Sequence, residues 1–299
     1  MSYPKFRESA ARRGLSDFPL SKKAKLHLGT FFGFVFPRKR KAIAAAPFAE
    51  DHKMLNRAIR NGLYAEAFKK GDHATLRNFL SHYWSKEAEH FRSDWNKRFQ
   101  RMFLQHDVSV IDELEEMLAG TPQGRNIDHL YEVGYGGGQV LEYLHDRFPQ
   151  FKRLTGIDLG EEQVEKNKKA YDLERLSVVT ADACDWIPEN ARPGCVILTN
   201  GGVFEYFLQS ELEALFSEAA KPLAPVALCL VETVATDHDL DTERGSLIHG
   251  REMAFSHNYT HILKSTGFDI VSSSERPGDP IDGGGRWIRV LAVTGNADQ

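Results

Sequence analysis

Leu130-Tyr131-Glu132-Val133-Gly134-Tyr135-Gly136-Gly137-Gly138-Gln139-Val140 is the stretch that decides how this chain folds. A short apolar run ends in an acidic residue, and glycines follow at 134, 136, 137 and 138. A helical spacing then begins at Val140, Leu141, Leu144 and Phe148. The pattern is a strand, a glycine turn and a helix start. Glycine suits such a turn because it takes positive φ without steric penalty and leaves bare peptide groups against which a ligand can lie. The free N–H groups of the new helix add partial positive charge at the same place.

Downstream of the turn, strand and helix signals alternate. Arg153–Asp158, Leu176–Thr180, Cys195–Thr199 and Pro225–Glu232 read as strands, and 268–274 and 286–294 as two more. Helical patterns lie between them, at about 138–147, from Gly160 onward, at 208–220 and at 257–266. Such alternation predicts a mostly parallel sheet covered on both faces, with ligands bound beyond the carboxyl ends of its strands. Upstream the chain reads as helical. Leu80, Trp84, Phe91, Trp95, Phe99 and Phe103 recur at steps of four and seven, which fits one amphipathic helix or two consecutive ones. Ala119-Gly120-Thr121-Pro122-Gln123-Gly124 breaks that pattern. The expected organisation is an N-terminal helical region, 1–125, followed by a ligand-binding domain, 126–299.

Composition points to a globular protein of a reducing compartment. Cys184, Cys195 and Cys229 form no Cys-x-x-Cys pair, and an odd number of thiols argues against a disulfide framework. The first residues lack the apolar core and cleavage site of a signal peptide, and no apolar run approaches the roughly 18 residues that cross a bilayer. A cytoplasmic location is the expectation. The net charge of −4 is unevenly spread: residues 1–50 hold eleven Lys/Arg against three acidic residues, or +8, so the remainder carries −12.

Two cofactor classes use a glycine turn of this kind. A dinucleotide site wants Gly-x-Gly-x-x-Gly, but counting from Gly134 the third glycine position is occupied by Gln139. The observed Glu132-x-Gly134-x-Gly136-x-Gly138 instead resembles motif I of the class I S-adenosylmethionine-dependent methyltransferases. That cofactor has an ammonium group and no diphosphate, so a carboxylate beside the glycines suits it. Asp158 ends the second strand, where a carboxylate can accept the ribose hydroxyls. The resemblance extends through Thr180-Ala181-Asp182-Ala183, where it implies that Asp182 meets the adenine amino group and the amide of Ala183 the ring. Thr199-Asn200-Gly201-Gly202 is similar to the motif IV region and makes Asn200 a further cofactor contact. Phe255-Ser256-His257-Asn258-Tyr259 looks like the segment before the late helix of small-molecule members. Together these matches span residues 127–294. They imply an α/β, Rossmann-like fold with a seven-stranded sheet, an N-terminal helical region added to it, and S-adenosylmethionine as cofactor.

The reacting half is less clearly marked. Glu205 and His257 are candidate general bases. Tyr206, Asn258 and Tyr259, with Tyr83 and Trp84 from the aromatic helix, are candidate acceptor contacts. For Glu205, His257, Tyr206, Asn258 and Tyr259 a structural hydrogen bond is an equal alternative, and packing against the sheet is the commoner role along the aromatic helix. A helix cap is the alternative for Asp158, and a loop Asx residue that for Asp182. His257 and His261 are four apart, but no third ligand and no His-Glu-x-x-His pattern accompanies them, so no metal is expected. Asn200 stands where metal-dependent catechol-type members carry an acid. The Asn/Asp-Pro-Pro-Tyr and Pro-Cys signatures of nucleic-acid and glutamine methylators are absent, and −12 on the remainder of the chain disfavours a polyanion. The expected reaction is methyl transfer to oxygen or nitrogen of a small or membrane-associated metabolite. Aminocarboxypropyl transfer, a non-catalytic S-adenosylmethionine-binding module and, third, an NAD-dependent oxidoreductase remain as rivals. Phe31–Phe36 beside Arg38–Lys41 has three readings: a buried helix with a solvated charge run, a peripheral membrane anchor suited to a lipid-linked acceptor, or a nucleic-acid contact.

Overall fold

The computed structural model describes residues 20–47, 53–87, 95–171, 173–249, 254–278 and 285–294. Its centre is a seven-stranded sheet. The strands are β1 (His129–Val133), β2 (Arg153–Asp158), β3 (Leu176–Thr180), β4 (Cys195–Asn200), β5 (Val226–Val234), β8 (Phe268–Pro277) and β9 (Arg286–Thr294). Their order is β3-β2-β1-β4-β5-β9-β8. β1 to β5 run parallel, and β9 inserts antiparallel between β5 and β8. The order reverses between β1 and β4, and there the two crossovers leave in opposite directions and open a crevice.

Alternation along the strands builds two cores. One face carries Tyr131, Val133, Ile197, Leu228 and Leu230 and packs on α9 (Ala183–Asn190), α10 (Gln209–Ala220) and α11 (Tyr259–Ser265). The other carries Leu130, Leu154, Val196, Leu198 and Val231. It packs on α6 (Val108–Gly120), α7 (Gln139–Arg147) and α8 (Glu161–Ala170). Strands covered on both sides need no polar face, which is why Cys195–Leu198 of β4 and Val226–Val231 of β5 are unbroken apolar runs.

The break at 119–124 is a turn, but packing runs across it. Ile111, Leu114 and Leu118 of α6 are buried against the sheet, so this helix belongs to the covering layer of the strands that follow. Before it, Trp95–Arg98 (α5) leads into a π-helical stretch, Phe99–Asp107, and then into α6. The aromatic stripe is therefore divided between α4 (His73–Glu87) and this second helix, and Phe91 lies outside the described residues.

α1 (Leu20–Val35), α2 (Pro37–Ala45) and α3 (Met54–Lys70) make a smaller cluster with α4 around Ile43, Ile59, Leu63 and Phe79. α1 crosses α3 backbone to backbone: a Cβ on Gly29 would lie 1.9 Å from the carbonyl oxygen of Ala58, and one on Gly62 would lie 2.4 Å from Gly29. Leu76 and Leu80 of α4 then join this cluster to Phe255. Phe255 belongs to β7 (Ala254–Ser256), which pairs with β6 (Leu247–His249) in a two-stranded sheet. Strands of three residues are too short to show alternation, and the sequence reading has none there.

Candidate active site

The glycine turn is held from three sides. Gly136 and Gly138 have φ of 52° and 87°, left-handed values at which a side chain would be strained. The amide of Gly136 donates to Oδ2 of Asp158 at 3.1 Å, and the amide of Gly160 donates to its Oδ1 at 2.9 Å. Asn167 of α8 donates to the carbonyl of Gly136, and the hydroxyl of Tyr171 to that of Gly137, both at 2.8 Å. The ring of Tyr135 fills the place a Cβ on Gly156 would need, 2.6 Å away.

The cavity beyond the turn is lined by Glu132, Gly134, Gly137, Gln139, Asp158, Ala183, Asn200 and Tyr206, among others. Gly136 and Gly138 set the backbone of the turn. Sequence reasoning missed the wall contributed by Arg77 and Ser81 of α4 and by Trp95, Arg98 and Met102. Trp95 lies on the turn itself: a Cβ on Gly136 would come within 2.6 Å of its ring, and one on Gly137 within 2.7 Å. Of the two aromatic residues expected from α4, Trp84 lines the cavity with its ring 5.0 Å from that of Tyr206. Tyr83 packs on Trp84 at 5.5 Å from behind and is not part of the lining.

Several residues expected to contact a ligand are engaged by other groups of the protein. Asp182 does not line the cavity. It caps α9 by accepting the amide of Cys184 at 3.0 Å, and its other oxygen accepts Arg77 at 2.9 Å. Arg77, buried over the ring of Phe207 at 4.4 Å, also donates to Glu211 at 2.9 Å. His257 is fully buried. Its Nε2 lies 3.1 Å from the carbonyls of both Phe204 and Phe207 and so carries the proton, which leaves Nδ1 to accept from Ser246. Burial lowers its pKa to about 3. Asn258 caps α11 by accepting the amide of His261, and donates to the carbonyls of Leu240 and Glu243. Tyr259, also fully buried, donates to Glu232 at 3.3 Å. Glu205 is buried behind the wall, accepting from Thr233 at 2.7 Å with Nε2 of His249 at 3.7 Å. None of these four lines the cavity.

Glu232, read from sequence only as the end of a strand, holds the opposite wall. It accepts the amides of Val203 at 3.0 Å and Phe204 at 3.1 Å, which fixes the turn after β4. Burial raises its pKa to about 7, against the lowering effect of those donors.

Among the described residues, Oε2 of Glu132, Oδ1 of Asn200 and Nε1 of Trp95 are buried polar atoms on lining residues without a hydrogen-bond partner. Burial, with Asp158 adding to it, raises the pKa of Glu132 well above the ordinary carboxylate value. Unsatisfied groups of this kind are costly unless a ligand completes them. S-adenosylmethionine offers an ammonium donor, a carboxylate acceptor and ribose hydroxyls, so its chemistry fits this set. Among the described residues no group of three His, Cys, Asp or Glu could hold a metal ion.

Comparison with known proteins points to a methyltransferase. Residues 130–226 match the model of a methyltransferase domain. The chain is 28% identical over 187 residues to trans-aconitate 2-methyltransferase of Escherichia coli, covering 60% of this chain and 69% of that protein. It is 27% identical, with the same coverage, to the enzyme of that name from Shigella flexneri. Among solved structures, the magnesium protoporphyrin IX methyltransferase of Synechocystis has a TM-score of 0.48 at 16% identity, over 74% of this chain and all of that one. Residues 130–226 therefore form the methyltransferase domain of an S-adenosylmethionine-dependent enzyme, and S-adenosylmethionine is its cofactor.

Proposed function

We propose that this enzyme methylates a small metabolite at oxygen or nitrogen, and that the preferred acceptor atom is a carboxylate oxygen. One observation carries the preference: away from Glu132 and Asp158, the described lining holds Arg98 and the ion-paired Arg77, and no further carboxylate and no histidine. An acceptor that is already a nucleophile at neutral pH needs no base from the protein, and a carboxylate is one. Bound S-adenosylmethionine supplies an electrophilic methyl group on a sulfonium.

The residues of this chain then act by binding and placement. Glu132 and Asp158 would hold the cofactor's ammonium and ribose against the glycine turn, with the amide of Ala183 at the adenine end. Asn200 and Gly201–Gly202 would close the floor, while Trp84 and Tyr206 would flank the acceptor and exclude water. Arg98 would draw an anionic acceptor toward the reacting carbon. Orientation of this kind can contribute about 7–11 kcal/mol, more than the roughly 3–5 kcal/mol typical of a general base. The name of the curated relatives, trans-aconitate 2-methyltransferase, supports an organic acid as the acceptor class.

The test is a panel of mono-, di- and tricarboxylic acids and primary amines with methyl-labelled S-adenosylmethionine. Methyl esters release methanol in base and N-methyl products do not. Base-labile product from at least one acid is the expected result. Turnover with amines alone would overturn the carboxylate preference. Calorimetric binding of the cofactor is measured in parallel, so that a wrong acceptor class is distinguished from a wrong cofactor site.

A further inference from the structure

Seven large apolar residues are exposed among the described residues, and five of them fall between Leu28 and Phe36. Leu28 is 51% exposed, Phe31 59%, Phe34 83% and Val35 46%. At 3.6 residues per turn these four lie within about 120° of the surface of α1. The crossing of Gly29 on Gly62 pins the opposite side of the helix to α3, so the stripe cannot be turned inward. A buried aromatic helix, one of the readings of this segment, is thereby excluded for Phe31 and Phe34. Phe32 alone packs into the cluster around Ile43 and Ile59.

The stripe runs directly into a basic corner. Phe36 is 40% exposed and precedes Pro37, which opens α2, and Arg38, Lys39 and Lys41 follow, all exposed. Arg40 differs: it pairs with Glu66 at 2.8 and 3.0 Å and tethers α2 to α3. Leu20 to Ala45 contains seven Lys/Arg and no acidic residue, while residues 51–299 carry −12.

We propose that this corner docks on an anionic phospholipid bilayer, with Leu28, Phe31, Phe34 and Val35 in the headgroup–acyl boundary and Arg38, Lys39 and Lys41 on the lipid phosphates. An apolar stripe rimmed by cations is the chemistry of interfacial helices. No described helix is long and apolar enough to cross a membrane, so contact is at the surface. Single-stranded nucleic acid fits less well, because Leu28 and Val35 have no ring face on which a base could stack. A symmetric second copy would bring each cationic corner against its twin. The proposal is independent of the acceptor assigned above. The acidic remainder of the chain, repelled by the same surface, would orient the molecule.

Flotation of the full chain with phosphatidylglycerol–phosphatidylcholine vesicles, against phosphatidylcholine alone, tests it. Binding to the anionic vesicles only, weakened by added salt, is expected. Phe34→Ser and the triple change Arg38→Glu, Lys39→Glu, Lys41→Glu should each weaken it about tenfold or more. Both alter exposed side chains, and unchanged circular dichroism and melting temperature would show the fold intact. Phe34→Trp provides a second readout, a blue shift of emission on adding anionic vesicles. Absence of binding, binding indifferent to these changes, or a dimer or single-stranded RNA complex that Phe34→Ser abolishes while vesicles go unbound would each overturn it.

Discussion

Gly136 and Asp158 are joined by a 3.1 Å hydrogen bond from the amide of one to the carboxylate of the other, which ties the end of β2 to the turn after β1. The carboxylate that would accept the ribose hydroxyls therefore also shapes the surface on which the cofactor lies. Each carboxylate oxygen has two acceptor sites, so accepting Gly136 and Gly160 leaves capacity for a ligand. Asp158→Ala should weaken S-adenosylmethionine about 10- to 100-fold, the loss expected for a charge-assisted hydrogen bond. Asp158→Asn should fall between, because one oxygen can still accept an amide. Calorimetry reads both, and unchanged affinity in Asp158→Ala would remove Asp158 from the site.

Glu132 should make cofactor binding depend on pH. Burial first, and Asp158 second, favour its protonated form in the empty protein, whereas a cofactor ammonium beside it favours the carboxylate. Binding should then release a proton below the raised pKa and strengthen as pH rises. Calorimetry in phosphate and Tris, whose ionisation heats differ, should give different apparent enthalpies. Glu132→Gln should abolish that difference and weaken binding by about 10- to 100-fold. Because a raised carboxyl pKa removes stability as pH climbs from the ordinary value toward the raised one, the same variant should melt higher at neutral pH without cofactor. A native protein that releases no proton would refute this account of Glu132.

What could be read in the sequence follows from locality. Short strands set between a turn and a helix start are marked by neighbouring residues, so Arg153–Asp158 and Leu176–Thr180 have the same bounds in sequence and structure. The glycines mark left-handed backbone, which few other residues adopt. The wall made by Arg77, Trp95 and Arg98 is another matter. Those side chains lie tens of residues from the turn, and nothing in their own segments distinguishes a pocket residue from a packing one. Asp182, His257 and Asn258 show the converse. Each has the right residue type at a family position, but hydrogen bonds to Cys184, to the distant carbonyls of Phe204 and Phe207, and to His261 engage the groups that chemistry would need.

His257 should accordingly govern stability rather than turnover. Its pKa of about 3, and that of His249 at about 4, lie below the unfolded value because burial disfavours the cation. The unfolded chain takes up protons first on acidification. Each histidine therefore contributes stability that is complete above about pH 6.5 and is lost toward the folded pKa, at about 1.4 kcal/mol per pH unit. His257→Gln should lower unfolding free energy at pH 7 by about 1–3 kcal/mol and make the acid loss shallower. The pH profile of kcat should keep its shape. A profile that loses one limb would restore His257 as a base.

Trp95 against the glycine turn yields a prediction that separates packing from backbone strain. Gly136 has positive φ, so a substitution there combines a steric clash with an unfavourable backbone. The φ of Gly137 is not positive, and a methyl group at that position meets Cγ and Cβ of Trp95 at 2.7 and 2.9 Å and the side-chain end of Gln139 at 2.4 Å. Gly137→Ala should push the indole off the turn, costing about 1–3 kcal/mol as overpacking does. Trp95→Ala should cost stability through lost burial and weaken the cofactor by removing its cover. In the double variant the clash with the ring is gone and only the contacts with Cβ of residue 95 and with Gln139 remain, so the two losses should fall short of their sum by about 0.5–3 kcal/mol, the coupling expected of residues in contact. Urea unfolding of the four proteins of the cycle measures it. Additivity within about 0.5 kcal/mol would mean that the indole does not lie on the turn in solution, and Trp95 would then lose its place in the wall of the cavity.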